Sequence, residues 1–243
     1  MDRHFDLIAT GAGSGPLPAA DTAAHVTRAP DVVSMRERFV ALWRRNLLGG
    51  AEDRAEAVWR AVEEHYSQPH RHYHHLGHLA HCLRHLDTVA DRLVARDQVE
   101  TAIWFHDVVL EPGRADNEQR SADYFRQLAG AVMPGDFVGG VVDLILYTTH
   151  RTPPADLDHQ FLCDIDLSSF GNPWDAFLAN SKAIELEFPG TRDEYVRCET
   201  AFLEAMLRRP RIFMTDFFHD LCEEKARANI QQFLQLLGAP RRP

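Results

Sequence analysis

Apolar residues recur at three- and four-residue steps along most of this chain, and that spacing constrains the fold more than any other feature. Phe39, Leu42 and Trp43 follow it near the start, and Ile230 and Phe233 follow it near the end. Such spacing places the apolar side chains on one face of an α-helix. No regular alternation of strands with helices and no internal repeat stands out. The pattern predicts an all-α fold, a single helical bundle.

The chain is expected to divide into a flexible leader at residues 1–30 and one helical domain at residues 31–243. The leader carries a Gly- and Pro-bearing tract without a sustained period. Ser34 and Glu37 have the spacing of a capping box at the start of the first helix. Further helices are predicted at 52–66, from the segment RHYHHLGHLAHCLRHL (71–86) onwards, and at 97–107, 116–129, 136–150, 174–187, 192–208 and 212–237.

Charge and cysteine usage exclude some classes of function. The 36 acidic residues outnumber the 26 basic ones and give a formal charge of −10, so nonspecific nucleic-acid binding is not expected. The four cysteines are far apart in the sequence, which favours free thiols in a reducing cytoplasm. No apolar run has the roughly 20 residues of a membrane span, so no membrane partner is expected.

Histidines and aspartates on three separate segments suggest a metal site. His78 lies on a predicted helix, the doublet His106 and Asp107 ends the apolar segment AIWF, and Asp166 precedes a leucine. Metal sites bring imidazoles and carboxylates together from different elements. Burying the doublet costs several kcal/mol unless something binds it.

Each candidate ligand also has a simpler interpretation. His78 shares a helix face with other histidines, which fits a solvated stripe. The doublet fits a histidine–aspartate pair at a helix C-terminus. Asp164 and Asp166 both fit loop or N-cap positions.

Several short segments, taken in order, match a known family. They are RHYHHLGHL (71–79), AIWFHDVVLEP (102–112), DNEQRSA (116–122), DIDLSSFG (164–171), RPRIFMT (209–215) and ARANI (226–230). From about residue 36 to the C-terminus the chain resembles the HD-domain metal-dependent phosphohydrolase superfamily, and within it a bacterial branch of predicted HD phosphohydrolases. The resemblance implies a helical HD domain with the metal ligands His78, His106, Asp107 and Asp166. Asp166 is preferred to Asp164 because the family's leucine follows it.

The chain departs from the branch's pattern at several positions. His75 stands where the branch usually has asparagine, and Glu111 stands where it usually has aspartate. Glu185 replaces an arginine, and Cys198 with Glu199 replaces a Gly-Arg pair. An arginine can bind a phosphate through two hydrogen bonds. Without these arginines, the resemblance does not identify the substrate.

The activity implied by the resemblance is metal-dependent hydrolysis of a nucleotide or another small phosphoester. The cofactor would be a divalent cation, and this ligand set suits Mn, Fe, Co, Ni, Zn or Mg. Asp107 would also orient the attacking water. Two alternatives stay open: an HD-type di-iron oxygenase, and a metal-binding module without turnover. Only His150 and His159 lie between the doublet and Asp166, which favours one metal over two.

Five further residues are candidates for the reaction or for substrate binding. Glu111 and Glu118 follow the doublet and are candidates for proton transfer or for orienting a ligand, with solvent-exposed carboxylates as the alternative. Arg71 and His74 precede the first ligand and are candidates for phosphate contacts, and a surface ion pair is the alternative for Arg71. His150 is a candidate substrate contact, and interaction with a helix C-terminus is the simpler alternative.

Overall fold

The computed structural model describes residues 31–154 and 156–238, and within these ranges the chain is helical with no β-strand. The predicted all-α fold is therefore confirmed, whereas the predicted leader lies outside the described residues. Two short 3₁₀ turns, Ala90–Arg92 and Ser168–Gly171, supplement the α-helices. The α-helices are α1 (Val32–Arg45), α2 (Ala55–Tyr66), α3 (Leu76–Val89), α4 (Arg96–Phe105), α5 (Asn117–Ala129), α6 (Gly135–Tyr147), α7 (Leu157–Leu167), α8 (Trp174–Glu187), α9 (Arg192–Arg208) and α10 (Asp216–Gly238).

The predicted capping box at the first helix is wrong. Asp31 is the N-cap of α1, and its carboxylate accepts hydrogen bonds from the main-chain N–H and the hydroxyl of Ser34. Aspartate, with its charge near the positive end of the helix dipole, is as good a cap as serine. The helix therefore begins earlier than the Ser34–Glu37 spacing suggested.

Helix α4 forms the centre of the bundle. It packs against α1, α3, α5, α6 and α7, and its residues from Val99 to Phe105 are all buried. Aromatic rings from α1 and α2 meet its C-terminal half, where Phe39 and Trp59 both contact the ring of Trp104. A helix segment that is buried on all sides needs neighbours on all sides. The end of α4 is consequently held in the interior of the bundle.

Buried carboxylates fix the segment between α9 and α10. Glu223 accepts hydrogen bonds from the N–H groups of 212–213, and Asp164 accepts them from those of 214–215. These bonds replace helical ones, so α10 begins at Asp216 and not at 212 as predicted. Burial raises the pKa of Asp164 to about 6, even though the bonds from residues 214–215 oppose that rise.

No helix in residues 31–154 and 156–238 combines the length and the apolar character needed to cross a membrane.

Candidate metal centre

The doublet lies where α4 leaves the core. His106 is the C-cap of α4, and its side chain is 2% exposed. Its Nδ1 donates a hydrogen bond to the carbonyl oxygen of Ile103 at 2.9 Å. Because this bond keeps a proton on Nδ1, Nε2 is the ring nitrogen that would bind a metal, and a bound cation would displace any proton that Nε2 carries. Asp107 follows immediately, with its side chain 17% exposed.

Side chains from α3 and α7 meet the doublet. Nε2 of His78 lies 3.2 Å from Nε2 of His106. Oδ1 of Asp166 lies 3.3 Å from Nε2 of His78 and 3.4 Å from Nε2 of His106. Oδ2 of Asp107 lies 3.0 Å from Nε2 of His106 and 3.7 Å from Nε2 of His78. The structure thus brings all four sequence-predicted ligands together.

These separations are those of donors around one small cation. Two nitrogen or oxygen donors that bind a tetrahedral ion at about 2.05 Å lie about 3.3 Å apart. The triangle formed by His78, His106 and Asp166 has edges of 3.2, 3.3 and 3.4 Å. Two metal-compatible groups are recognisable in the described residues, and both contain His78. They therefore belong to one centre, and the four side chains fit a divalent cation.

The imidazoles and the carboxylates differ in their exposure to solvent. The two imidazoles are 2% exposed, whereas Asp107 and Asp166 are each 17% exposed. The carboxylates thus form the side of the cluster that solvent reaches. Catalytic metal sites keep a position on such a side for water or substrate.

Attraction inside the cluster outweighs the cost of burial. Burial alone would raise the pKa of Asp107 and of Asp166, but the adjacent His106 holds both pKa values below their usual range. Burial alone would lower the pKa of His106, but Asp107 and Asp166 hold it well above its usual range. The carboxylates stay ionised at neutral pH and provide the negative charge that attracts a cation.

Asp166, and not Asp164, faces the cluster. Asp164 is fully buried, and its two oxygens accept hydrogen bonds from the main chain and the hydroxyl of residues 214–215. Both aspartates lie within α7, so the loop and N-cap interpretations of these two residues are wrong. Residues two apart on a helix project in different directions, which gives one aspartate a structural contact and the other a place in the site.

His150 contacts a candidate ligand, and its predicted role in substrate binding stays a prediction. Its Nε2 lies 2.8 Å from Oδ2 of Asp166. Helix α6 ends at Tyr147, and His150 follows it with a φ of 53° and donates its main-chain N–H to the carbonyl oxygen of Tyr147, as residues after a helix end commonly do. The helix end thus accounts for the backbone of His150, whereas its ring contacts Asp166. A histidine that binds the outer oxygen of a carboxylate holds the inner oxygen in a fixed direction. His150 therefore positions Asp166.

Arg71 is buried and bound to main-chain oxygens, so the alternative of a surface ion pair is wrong. The side chain donates to the carbonyls of His74, Asp107 and Val108 at 2.8–2.9 Å, and the residue is 6% exposed. Its guanidinium also lies over the ring of Tyr66. These contacts join the segment before α3 to the segment after α4. Arg71 thus supports the backbone of Asp107, and its contact with a phosphate stays a prediction.

Glu187, which the sequence did not single out, organises the segment before α3. Oε1 accepts hydrogen bonds from the N–H groups of residues 72–74, and Oε2 lies 2.5 Å from Nδ1 of His74. The His74 ring in turn packs against that of His78. Burial alone would raise the pKa of Glu187, but His74 and the N–H groups lower it to about 2. The only signal in the sequence was the departure from the family pattern around Glu185.

His75 caps the start of α3. His75 is the N-cap of α3, and its Nδ1 accepts a hydrogen bond from the N–H of Gly77 at 2.8 Å. This is the bond that an asparagine side chain would accept at an N-cap. A Cβ atom at Gly77 would lie 2.4 Å from the His75 ring, so the small residue is required there. His75 therefore stabilises the helix start that places His78.

The remaining candidates do not contact the cluster within the described residues. Glu111 is 56% exposed and pairs with Arg120, which favours the alternative of a surface carboxylate. Glu118 lies in the first turn of α5, and its role stays a prediction. His159 pairs with Asp143 at 3.1 Å and with Asp156 at 2.6 Å, away from the four ligands.

Comparison with protein-family models finds no match to this chain, and comparisons with curated proteins and with solved structures find none either.

Proposed function

We propose that this chain is a metal-dependent phosphohydrolase of the HD type that acts on a nucleotide or another small phosphoester. The observation that carries the proposal is the convergence of two imidazoles and two carboxylates at the spacing of a single small cation. The order His78, His106-Asp107, Asp166 along the chain, which the resemblance to that superfamily implies, supports it further.

The bound cation would activate a water molecule and neutralise charge on the phosphoryl oxygens. His78, His106, Asp107 and Asp166 would hold the ion. Asp107 lies on the side that solvent reaches, and one of its oxygens is available to orient the attacking water. A water held and oriented in this way is aligned for attack on phosphorus.

His74 is the group in this proposal that meets the phosphate. Its side chain is 26% exposed, and its Nδ1 is held by Glu187, which leaves Nε2 for another partner. Burial alone would lower the pKa of His74, but Asp107 and Glu187 raise it above its usual value. A cationic imidazole can donate to a phosphoryl oxygen or to the leaving group. The His74 imidazolium would supply the positive charge that arginines supply in the branch the chain resembles, where this chain has Glu185 and Glu199.

The geometry favours one metal over the two irons of the oxygenase alternative. Both metal-compatible groups in the described residues share His78. His150 contacts Asp166, which is one of the four proposed ligands, and His159 contacts Asp143. A dinuclear centre would need a further set of ligands. The third alternative, a metal-binding module without turnover, has the same ligands and differs only in activity.

Elemental analysis of the purified protein, followed by a screen of nucleotides and phosphate monoesters with added Mn, Co, Ni, Zn or Mg, tests the proposal. We expect about one equivalent of metal and metal-dependent release of phosphate. Two equivalents of iron with oxygen consumption would favour the oxygenase. Stoichiometric metal without release of phosphate from any substrate would favour the binding module.

A further inference from the structure

An arginine at the end of α9 holds the main chain of the histidine that contacts Asp166. Nη2 of Arg209 donates a hydrogen bond to the carbonyl oxygen of His150 at 2.5 Å. The main-chain N–H of His150 donates to the carbonyl oxygen of Tyr147 at 3.1 Å. Both main-chain polar groups of His150 are therefore bonded, while its ring contacts Asp166. These bonds connect the end of α9 to the candidate centre through one residue.

The backbone conformation of His150 needs such support. Within residues 31–154 and 156–238, His150 is the one residue other than glycine with a positive φ. A left-handed backbone is uncommon for a residue with a side chain, and it persists where surrounding contacts hold it. The bond to Tyr147 fixes the N–H side of His150, and the bond from Arg209 fixes the carbonyl side. Without Arg209 the main chain of His150 could turn, and the ring would turn with it.

The environment of Arg209 differs from that of the neighbouring arginines. Arg208 and Arg211 each form an ion pair with a carboxylate. Arg209 is partly buried and has no carboxylate partner among the described residues. The bond to His150 is the contact found there for its side chain. An ion pair therefore does not explain the position of the Arg209 guanidinium, whereas the bond to His150 does.

The main chain of Arg209 is itself held in place. Arg209 is the C-cap of α9, and its N–H donates to the carbonyl oxygen of Met206. Its carbonyl oxygen accepts a hydrogen bond at 2.7 Å from Nη2 of Arg227 on α10. Nε of Arg227 is bound in turn to Glu223 at 2.7 Å. Supporting residues that are themselves fixed can hold a metal ligand in a defined direction.

We propose that Arg209 is a positioning residue of the metal centre, which keeps the ring of His150 on Asp166 by holding the His150 carbonyl oxygen. The inner oxygen of Asp166 is thereby directed toward the ion. The inference rests on the metal centre of the proposed function and does not depend on which reaction that centre catalyses. Replacing a residue that orients a ligand typically lowers metal affinity by about 10- to 100-fold.

Charge and positioning predict opposite effects for Arg209→Met. The positive charge of an arginine repels a cation, so its removal would strengthen metal binding if charge alone mattered. Loss of the bond to His150 should instead weaken it. We expect zinc affinity, measured by isothermal titration, to fall by about tenfold. Arg208→Met is the matched control, because Arg208 is the adjacent arginine, is 68% exposed and pairs with Glu204. Zinc affinity should not fall in the control.

A second background shows whether Arg209 acts through His150. Glycine adopts a positive φ without strain and has no ring to position, so His150→Gly removes the contact with Asp166. In this background Arg209→Met should cause no further fall in zinc affinity, because the two residues act through one contact. Absorption spectra of the Co²⁺-loaded proteins give a spectroscopic readout. The visible cobalt bands should change in Arg209→Met and should not change in Arg208→Met.

Circular dichroism establishes that each variant is folded. If Arg209→Met does not fold, Arg209→Lys takes its place in both backgrounds. Lysine keeps the positive charge but lacks the planar group that donates in a fixed direction. A fall in zinc affinity in Arg209→Lys therefore reports on geometry alone.

The outcomes separate this inference from the proposed function. Native zinc affinity in Arg209→Met, or an equal fall in the native and His150→Gly backgrounds, would overturn the role of Arg209 and leave the metal centre intact. Failure of the native protein to bind zinc or cobalt would overturn the metal centre and the role of Arg209 together. Zinc affinity that depends on Arg209 through His150, without release of phosphate from any substrate, would support the role of Arg209 and contradict the phosphohydrolase.

Discussion

Nε2 of His150 lies 2.8 Å from Oδ2 of Asp166, while Oδ1 of the same carboxylate faces the two imidazoles of the candidate centre. The histidine adopts a φ of 53°, a left-handed conformation that is uncommon for residues other than glycine but is found more often for asparagine, aspartate and histidine. A residue held in this conformation next to a candidate ligand is expected to matter for the orientation of that ligand.

His150→Asn tests this positioning role. Asparagine tolerates the backbone conformation, but its shorter side chain does not reach the carboxylate. We expect metal affinity to fall by about 10- to 100-fold without complete loss, because Asp166 remains present but less well oriented. Isothermal titration with zinc measures the change. Unchanged affinity combined with a raised KM would instead support the substrate-binding role inferred from the sequence.

Replacing His106 or Asp107 with alanine should abolish metal retention and turnover together. A site with four such ligands loses both affinity and geometry when one ligand is removed. Metal content is measured by elemental analysis, and circular dichroism checks that the helices persist. An Asp107→Ala protein that is folded, keeps stoichiometric metal and hydrolyses substrate at the native rate would show that the catalytic interpretation is wrong.

The two aspartates of α7 should respond differently to the same change. Asp166→Asn should lose metal and keep most of its stability. Asp164→Asn should keep metal, but its free energy of unfolding should fall by about 1–3 kcal/mol. The amide nitrogen of asparagine would face an N–H group that now donates a hydrogen bond to the carboxylate. Urea unfolding and metal titration of both variants measure the difference. The reverse pattern would mean that Asp164 is the ligand.

Arg71→Lys should destabilise the protein by about 2–4 kcal/mol, because lysine cannot reach three carbonyl oxygens at once. Turnover should fall at saturating metal, since the backbone of Asp107 loses a support. Arg114→Lys is the matched control, because that arginine is 46% exposed and pairs with Asp116 at the surface. Native stability with a raised KM in Arg71→Lys would support Arg71 as a phosphate ligand.

Glu187 should contribute to stability in a pH-dependent way. Its pKa falls from 4.5 to about 2 on folding, so its contribution is present above pH 4.5 and is lost as the pH falls toward 2. The shift corresponds to about 3 kcal/mol at neutral pH. Glu187→Gln should therefore be less stable at pH 7 and should depend less on pH between 4.5 and 2.

Urea unfolding of the metal-free protein at several pH values checks this. Glu204→Gln is the control, because Glu204 is 54% exposed and its surface ion pair with Arg208 is long, at 3.6 Å. Equal pH dependence in the native protein and in Glu187→Gln would show that Glu187 does not contribute in this way.

The sequence by itself determined the helical class and most helix positions. Two of the predicted ranges, 174–187 and 192–208, coincide with α8 and α9. Apolar spacing along a segment is a local property, and it reports which residues lie on the buried face of a helix. The order of the motifs, through the resemblance to the HD superfamily, likewise predicted His78, His106, Asp107 and Asp166 as metal ligands.

Only the tertiary structure decided how these residues meet and what supports them. The contacts of Arg71 with 107–108, of Glu187 with 72–74 and of His150 with Asp166 join residues that are 16 to 115 positions apart in the chain. A sequence pattern carries no information on such pairs, because the direction of a polar side chain depends on how whole helices pack. The position of Cys82 beside His78 depends on both the sequence and the tertiary structure. The helical repeat places the two residues on one face of α3. The packing of α3 against α4 and α7 buries that face.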